Sequence, residues 1–449
     1  MTSLPDRRRV VVTGMGAVTP CGVGTDALWD AVVAGQSAIT RLDAPAFAGS
    51  PVRIGGQVRG FDPAPYVQGA LARRISPVQQ WAIAAADEAM RHAGIELSPF
   101  GATPIDPTDG RNASLGADCL ALALPWPRER FAIIAATGSG PIDAMQAATR
   151  AFDAKGARAV PPTLAVYGAP DGAATLLAAR YGAFGASPAV SATCASGAMG
   201  LGTALRWIRH GYADAVLVAG MEDCLGPINL AANARLHALA IGYEDHPRAA
   251  CRPFDRARRG FVMASGACAM LLEAESTARA RCADGSADIE LAGYAATSDA
   301  WHATAPRPDG TGAARAMLAC LADAGASVDT IDHINAHGTG TPQGDAAEIA
   351  ALETVFGARG HAIPIAATKA TTGHLLGAAG VAEAIVAART LATGLVPPTR
   401  NLTDPEFPDW DIVANAARAA HVTTALSNSF GFGGHNAALL LRKRTHDTP

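Results

Sequence analysis

The sequence predicts an α/β protein built as two halves with the same grammar, and three observations carry that expectation. Short β-branched runs alternate with helix-period segments from end to end, so helices should cover mostly parallel sheets. A strand, a turn holding Cys194 and a helix in the first half answer to a strand, a turn holding Thr368-Lys369 and Gly373-His374, and a helix in the second. Finally, 449 residues with 49% apolar content can bury a core large enough for two such units.

In chain order, Arg9-Val10-Val11-Val12-Thr13 reads as a buried strand running into Gly14-Met15-Gly16, with a helix over 26–34. The glycines resemble a dinucleotide-binding turn, but Thr19 stands at the third glycine and Pro20 interrupts, which argues against one. Residues 76–93 form a helix with Ser76 as N-cap, Pro77 at its first position and Gly94 closing it. Residues 95–128, rich in Gly, Pro, Asp and Asn and without a period, read as a surface insertion. Strands follow at 131–136 and 215–220, helices at 142–153 and 172–180, and a further strand lies within 261–273. The first half, 7–278, closes there. The second, 284–446, repeats the pattern with strands at 289–294, 333–337, 365–368, 424–430 and 437–441. Its helices fall at 312–324, 345–356 and 380–391.

Net charge is only −4, which disfavours nucleic acid as a partner. The longest apolar runs, such as 215–219, suit strands and not a membrane span. Arg7-Arg8-Arg9 leads into too short an apolar run for a signal peptide. The eight cysteines are scattered, with no CxxC and no metal-ligand spacing, so a reducing cytoplasm and no metal are expected. Lysines are confined to Lys155, Lys369 and Lys443, so Lys369 stands out inside an apolar segment.

The chemistry centres on Ala189-Val190-Ser191-Ala192-Thr193-Cys194-Ala195-Ser196-Gly197-Ala198-Met199-Gly200. It reads as the end of a buried strand, a tight turn and the first turn of a helix that Gly211 can stop. A thiol there faces unpaired N–H groups and the positive end of the helix dipole, both of which favour thiolate. Alone, the stretch fits a buried structural cysteine better, since free cysteine is among the most buried residue types. Three other strand ends change the balance. Asn335-Ala336-His337-Gly338-Thr339-Gly340-Thr341-Pro342-Gln343-Gly344-Asp345 puts a histidine before a glycine-rich loop. Thr368-Lys369-Ala370-Thr371-Thr372-Gly373-His374-Leu375-Leu376-Gly377 supplies a lysine and a second histidine. Asn428-Ser429-Phe430-Gly431-Phe432-Gly433-Gly434-His435-Asn436 is a glycine turn carrying two aromatics.

With these motifs the sequence resembles the β-ketoacyl-acyl-carrier-protein synthases of the elongating (synthase I/II) type over residues 8–442, broken mainly at 95–128. The resemblance implies the thiolase fold, five αβαβα layers made of two pseudo-repeated halves. It implies that Cys194 takes the acyl chain as a thioester, and that His337 and His374 donate hydrogen bonds to the malonyl thioester oxygen and stabilise its enolate. It gives Lys369 the electrostatics and orientation of His374, with Glu383 as its acidic partner. The N–H groups of Cys194 and Phe432 would form the oxyanion hole, with Phe432 as a gate opposed by Asp299. Thr339 and Thr341 would grip the pantetheine arm. No cofactor is implied beyond the phosphopantetheine that arrives on the acyl carrier protein. A homodimer is expected, and a heterodimer with a ketosynthase-like subunit stays open.

The chain departs from the family pattern at Thr193, where alanine is usual, at Pro141, where a bulky aliphatic lines the acyl pocket, and at Asn233, near a usual phenylalanine. Neutral change and a pathway-specific pocket both fit Pro141 and Asn233; jointly they favour a pathway-specific synthase, of polyketide or polyene type, over a housekeeping one. Arg73, Arg74 and Arg158 fall in segments resembling the carrier-facing rim, although solvated or interface arginines read the same way. Other readings lack their marker. A chain-length factor would lack the cysteine, a starter enzyme would carry Asn at His374, and a thiolase would carry a second cysteine in the C-terminal glycine turn. A ketosynthase-fold partner or acyl-holding subunit of a heterodimer remains the alternative.

Overall fold

A computed structural model describes residues 7–98, 100, 122–281 and 287–444. In the first half, strands β1 (Val10–Thr19), β2 (Phe131–Ala136), β3 (Ala189–Val190), β4 (Ala215–Glu222) and β5 (Gly266–Ala274) lie in the order β1-β5-β4-β2-β3. In the second, β6 (Ile289–Ser298), β7 (His333–Asn335), β8 (Ile365–Ala366), β9 (Thr424–Gly431) and β10 (His435–Lys443) lie in the order β6-β10-β9-β7-β8. Adding five to each first-half strand reproduces the second half, and the directions repeat too. The two pairs nearest the seam are antiparallel and the outer two parallel in each half. The sheets are thus mixed, where local periodicity pointed to mostly parallel ones. The reason is the last connection of each half, which brings β5 and β10 back against their predecessors. The two sheets meet edge to edge through one antiparallel pair, Val11 with Glu290.

Helices α1 (Pro77–His92) and α2 (Gly172–Tyr181) cover the outer face of the first sheet. Helices α3 (Ser196–Arg209) and α6 (Ala379–Thr393) lie between the sheets, and α4 (Thr311–Ala324) and α5 (Pro342–Phe356) cover the second. These are the five layers of the thiolase fold. The central core joins Leu201, Leu205 and Ile208 of α3 and Val381 and Ile385 of α6 to Val218, Met270 and Leu439 of the two sheets. Among the described residues one helical stretch, 376–393, is long and apolar enough to cross a membrane, but 78% of it is buried here as α6 and its lead-in.

Local chemistry sets the helix ends. Ser76 and Gln79 form a reciprocal capping box at α1, with Pro77 in its first turn, and Gly94 leaves it at φ +79°. Gly14 and Gly16 stand inside β1, not in a turn. A Cβ at either would lie 2.0 and 1.9 Å from the carbonyl oxygens of Ala89 and Ala85 on α1, so they let the helix press onto the strand. The proposed insertion lies mostly outside the described residues. Where the chain returns, the indole of Trp126 donates to the buried Glu273 at 2.7 Å.

Candidate active site

The C-terminal ends of β3, β7 and β8 and the β9–β10 turn converge on a cavity of about 360 Å³. Cys194, His337, His374, Thr339, Thr341, Asp299 and Phe432 all line it. The strand before Cys194 is shorter and less buried than its sequence suggests, only Ala189–Val190, because β3 is the outer edge of its sheet. A single 3-10 turn, Thr193–Ala195, then delivers the cysteine to the start of α3. Thr193 sits at φ +50°, a strained position for a β-branched residue, and its hydroxyl donates to the Phe432 carbonyl at 2.9 Å. The Ser196 hydroxyl accepts from the Ala192 N–H at 2.8 Å and closes the turn from below. Gly431 must lack a side chain here, since a Cβ would lie 2.2 Å from the Thr193 hydroxyl and 3.0 Å from the Ala192 carbonyl.

Burial pushes the Cys194 thiol up to about 12, against the lowering pull of Lys369 and of the Phe432 backbone N–H. The helix start expected to favour thiolate is thus opposed by burial: the same enclosure that shapes the pocket strips the water a thiolate needs.

The histidines are set from behind. The Leu376 N–H donates to His374 Nδ1 at 3.3 Å, so the ring proton sits on Nε2, which is buried and makes no hydrogen bond among the described residues. Lys369 Nζ lies 3.4 Å from His337 Nδ1 and donates to the His337 carbonyl at 2.6 Å. An ammonium can only donate, so His337 likewise carries its proton on Nε2. Burial first, then the Lys369 charge, holds both imidazoles well below their usual pKa, which leaves two neutral N–H donors. The rings stand 5.5 Å apart, edge to face.

Lys369 thus touches His337 directly and acts on His374 through its charge; the turn of Gly373 carries His374 away while the lysine reaches across to the end of β7. Glu383, on the first turns of α6, does pair with Lys369. Its carboxyl is raised to about 7 by burial, opposed by the lysine. Two further acids were not singled out by the sequence. Glu348 on α5 accepts the His337 and Gly338 amides, both at 2.9 Å, and the Asn428 side chain at 3.2 Å. Glu222, ending β4, accepts the amides of Gly138, Ser139 and Gly377. The available signal was a carboxylate inside or directly after an apolar run.

Around the mouth, the Thr339 and Thr341 hydroxyls are 3.0 Å apart, and Thr341 also caps α5 by accepting from the Gly344 N–H. Buried Asp299 accepts from Asn436 at 2.8 Å and from the Arg307 N–H at 3.2 Å, while its own N–H donates to Gly434 at 2.9 Å. It therefore clamps the glycine turn that carries Phe432. Other residues named as candidates are not on the cavity. Pro141 precedes the helix Ile142–Lys155 and is buried beside that helix start. The Asn233 amide turns back onto the Asn229 carbonyl at 2.9 Å within the helix Pro227–Arg235. Arg73, Arg74 and Arg158 are exposed on segments tied together by a Thr163 hydroxyl bond to the Arg74 carbonyl, away from the cavity lining.

Comparison with known proteins bears on the same architecture. The family model for the beta-ketoacyl synthase N-terminal domain matches residues 7–106 and 112–278, and that for the C-terminal domain matches 289–403. The 3-oxoacyl-[acyl-carrier-protein] synthase 2 of Vibrio harveyi is 36% identical over 439 residues, 97% of this chain and 99% of that protein. A solved ishigamide ketosynthase/chain length factor superposes with a TM-score of 0.83 at 30% identity, covering 98% of this chain and 100% of that one. A ketosynthase solved with its type II polyketide acyl-carrier protein gives a TM-score of 0.82 at 29% identity, with coverage of 98% and 100%. With both halves matched in order and little of the chain left over, this protein belongs to the β-ketoacyl synthase family, acyltransferases of the elongating type.

Proposed function

We propose that this ketosynthase extends an acyl chain on a dedicated acyl carrier protein in a pathway-specific, polyketide- or polyene-type elongation. The family reaction is a decarboxylative Claisen condensation. In our assignment Cys194 attacks the acyl thioester of the carrier's phosphopantetheine, its proton leaving with the pantetheine thiol, and the chain passes to the cysteine. The carrier departs and malonyl-carrier enters past Thr339 and Thr341. His337 and His374 donate their Nε2–H groups to the malonyl thioester oxygen. They stabilise the enolate as the C–C bond to carbon dioxide breaks. The enolate carbon attacks the acyl-Cys194 carbonyl, whose oxygen rests on the Cys194 and Phe432 N–H groups. Collapse expels the cysteine thiolate and leaves β-ketoacyl-carrier. Lys369, neutralised by Glu383, keeps its positive charge against His337 and so keeps that ring a neutral donor.

The observation that carries this reading is the pair of buried, neutral imidazoles, each with its Nδ1 occupied so that the ring proton falls on Nε2. Two donors of that kind beside a cysteine serve an enolate; a general base would need an unprotonated nitrogen facing the pocket. Acyl-carrier should add its acyl mass at Cys194, and His374→Ala should keep that step while losing condensation. No transfer to a folded protein would sink the catalytic assignment. The pathway-specific part rests on Thr193, whose hydroxyl ties the nucleophile turn to the gate, and on the likeness to the ishigamide enzyme. Pro141 and Asn233 stand outside the lining of this cavity and add no contact to that part. A panel of acyl chains against malonyl-carrier, read by mass spectrometry, tests it: preference for ordinary saturated chains would argue for housekeeping fatty-acid synthesis.

We further assign docking of the carrier's acidic surface to Arg73, Arg74 and Arg158, work in the cytoplasm, and a dimer, of like subunits or with a chain-length partner. The alternative, a non-catalytic partner subunit in such a heterodimer, is disfavoured because Cys194, His337 and His374 are all retained.

A further inference from the structure

Glu222 is fully buried at the end of β4, yet among the described residues no cation pairs with it. Its partners are backbone amides from both halves: Gly138 at 2.7 Å and Ser139 at 3.1 Å from the loop after β2, and Gly377 at 3.0 Å from the loop after His374. The Thr137 hydroxyl adds a long contact at 3.4 Å. Burial raises the carboxyl to about 7 and these amides pull it back. An apolar side chain of similar size would avoid that desolvation, so the acceptors themselves need a reason. Packing at this point is as close as backbone allows. A Cβ on Gly377 would stand 2.5 Å from the Gly138 nitrogen and 2.7 Å from the Glu222 oxygen. Gly377 directly follows Leu376, a non-glycine residue held at φ +45°, and the Leu376 N–H is the donor to His374 Nδ1.

We propose that Glu222 is a positioning residue for the decarboxylation half of the reaction. By holding the Gly377 amide against the Gly138 loop, it keeps the strained Leu376 in place, so that its N–H fixes His374 as the Nε2–H tautomer. The inference rests on the assignment of His374 as a donor to the malonyl thioester oxygen. Its chain is Glu222 to Gly377, Leu376 to His374, and His374 to substrate; Glu222 touches neither substrate nor cysteine sulfur. One carboxylate oxygen, Oε2, accepts both Gly138 and Gly377, while Oε1 accepts Ser139. A glutamine could therefore keep its single oxygen on the two glycines, at the cost of setting its NH₂ against the Ser139 N–H, where neither group can accept; a leucine could hold none of the three.

The test compares Glu222→Leu, Glu222→Gln and His374→Ala in the full-length protein. Two half-reactions are followed: acyl transfer to Cys194 by intact mass, and carbon dioxide release from malonyl-carrier. Losing an oxyanion donor outright costs about 10²–10³ in rate, so Glu222→Leu should slow decarboxylation by at least about tenfold more than acyl transfer. Glu222→Gln, which keeps the Gly377 bond and loses the Ser139 one, should recover part of the loss. With ¹⁵N-labelled histidine, His374 should read as Nε2–H in the wild type and in Glu222→Gln, with the Nδ1–H form appearing in Glu222→Leu. Equal loss of both half-reactions in Glu222→Leu, or loss of neither while His374→Ala is dead for decarboxylation, overturns the role of Glu222 alone. Survival of decarboxylation in His374→Ala overturns the donor assignment beneath it. Should Glu222→Leu not fold, an Nδ1–H tautomer in the wild type, or in Glu222→Gln with decarboxylation unimpaired, still refutes the proposal.

Discussion

At the scale of single residues, the site is a set of neutral donors and one thiol that the fold buries. The thiol of Cys194, raised to about 12 by burial, is protonated at neutral pH. Its thiolate fraction should then grow about tenfold per pH unit, and alkylation of the free enzyme should climb from pH 7 to about pH 10 without a plateau. A levelling near pH 7 would mean a thiolate preformed by the helix start. Lys369 and Glu383 make a second residue-scale prediction. Lys369→Met removes the cation that lowers the Glu383 carboxyl, leaving a buried acid that is neutral at low pH and must ionise, or stay protonated at a cost, as pH rises. The loss should reach about 3–5 kcal/mol at alkaline pH, and the Tm gap to wild type should widen between about pH 6 and pH 8.5. Adding Glu383→Leu should restore the Tm and leave condensation dead. A gap independent of pH would show that Glu383 does not carry the cost. Cys194, His337, His374 and Lys369 were all legible from strand-end motifs. Which histidine Lys369 meets was not, because two residues five apart across a turn can point either way.

At the scale of elements, two turns decide whether the cysteine can work. The Thr193–Ala195 turn and the β9–β10 turn touch at Gly431, where a methyl group would collide with a side chain and a carbonyl at once. Gly431→Ala should cut acyl transfer by at least about 100-fold while the protein stays folded. Shortening the threonine as well, Thr193→Ala, should not rescue it, since the Ala192 carbonyl remains 3.0 Å away. Rescue, read by acylation mass, would place the clash on the hydroxyl alone. Thr341 serves two masters: a cavity-lining hydroxyl and the cap of α5. Thr341→Ala should cost about 1 kcal/mol of stability and raise KM for malonyl-carrier; Thr341→Ser should recover the stability. The glycine pair in β1 illustrates the limits of motif reading. Thr19 and Pro20 argued against a phosphate turn, but only the contact with α1 supplies the positive reason for Gly14 and Gly16. Pro141 and Asn233 mark the opposite case, where a departure from pattern does not say which way its helix faces.

At the scale of the molecule, the repeat of strand order places two central helices, α3 and α6, between two sheets. Each is buried on both sides, so neither half can lose the other without exposing a face of its central helix. Thermal unfolding should therefore be a single transition for residues 7–278 and 284–446 together, and either piece expressed alone should be unfolded or insoluble. Two separated transitions by calorimetry would show independent halves.

The sequence alone determined the class of the fold, the two-half repeat and the four residues that meet at the candidate site. All are encoded locally, in periodicity, glycine turns and strand ends. Only the tertiary structure decided the protonation of the thiol, the partner of the lysine, the tautomers of the histidines and the place of Glu222 and Glu348. Those depend on desolvation and on hydrogen bonds between segments far apart in the chain, and no local pattern carries either.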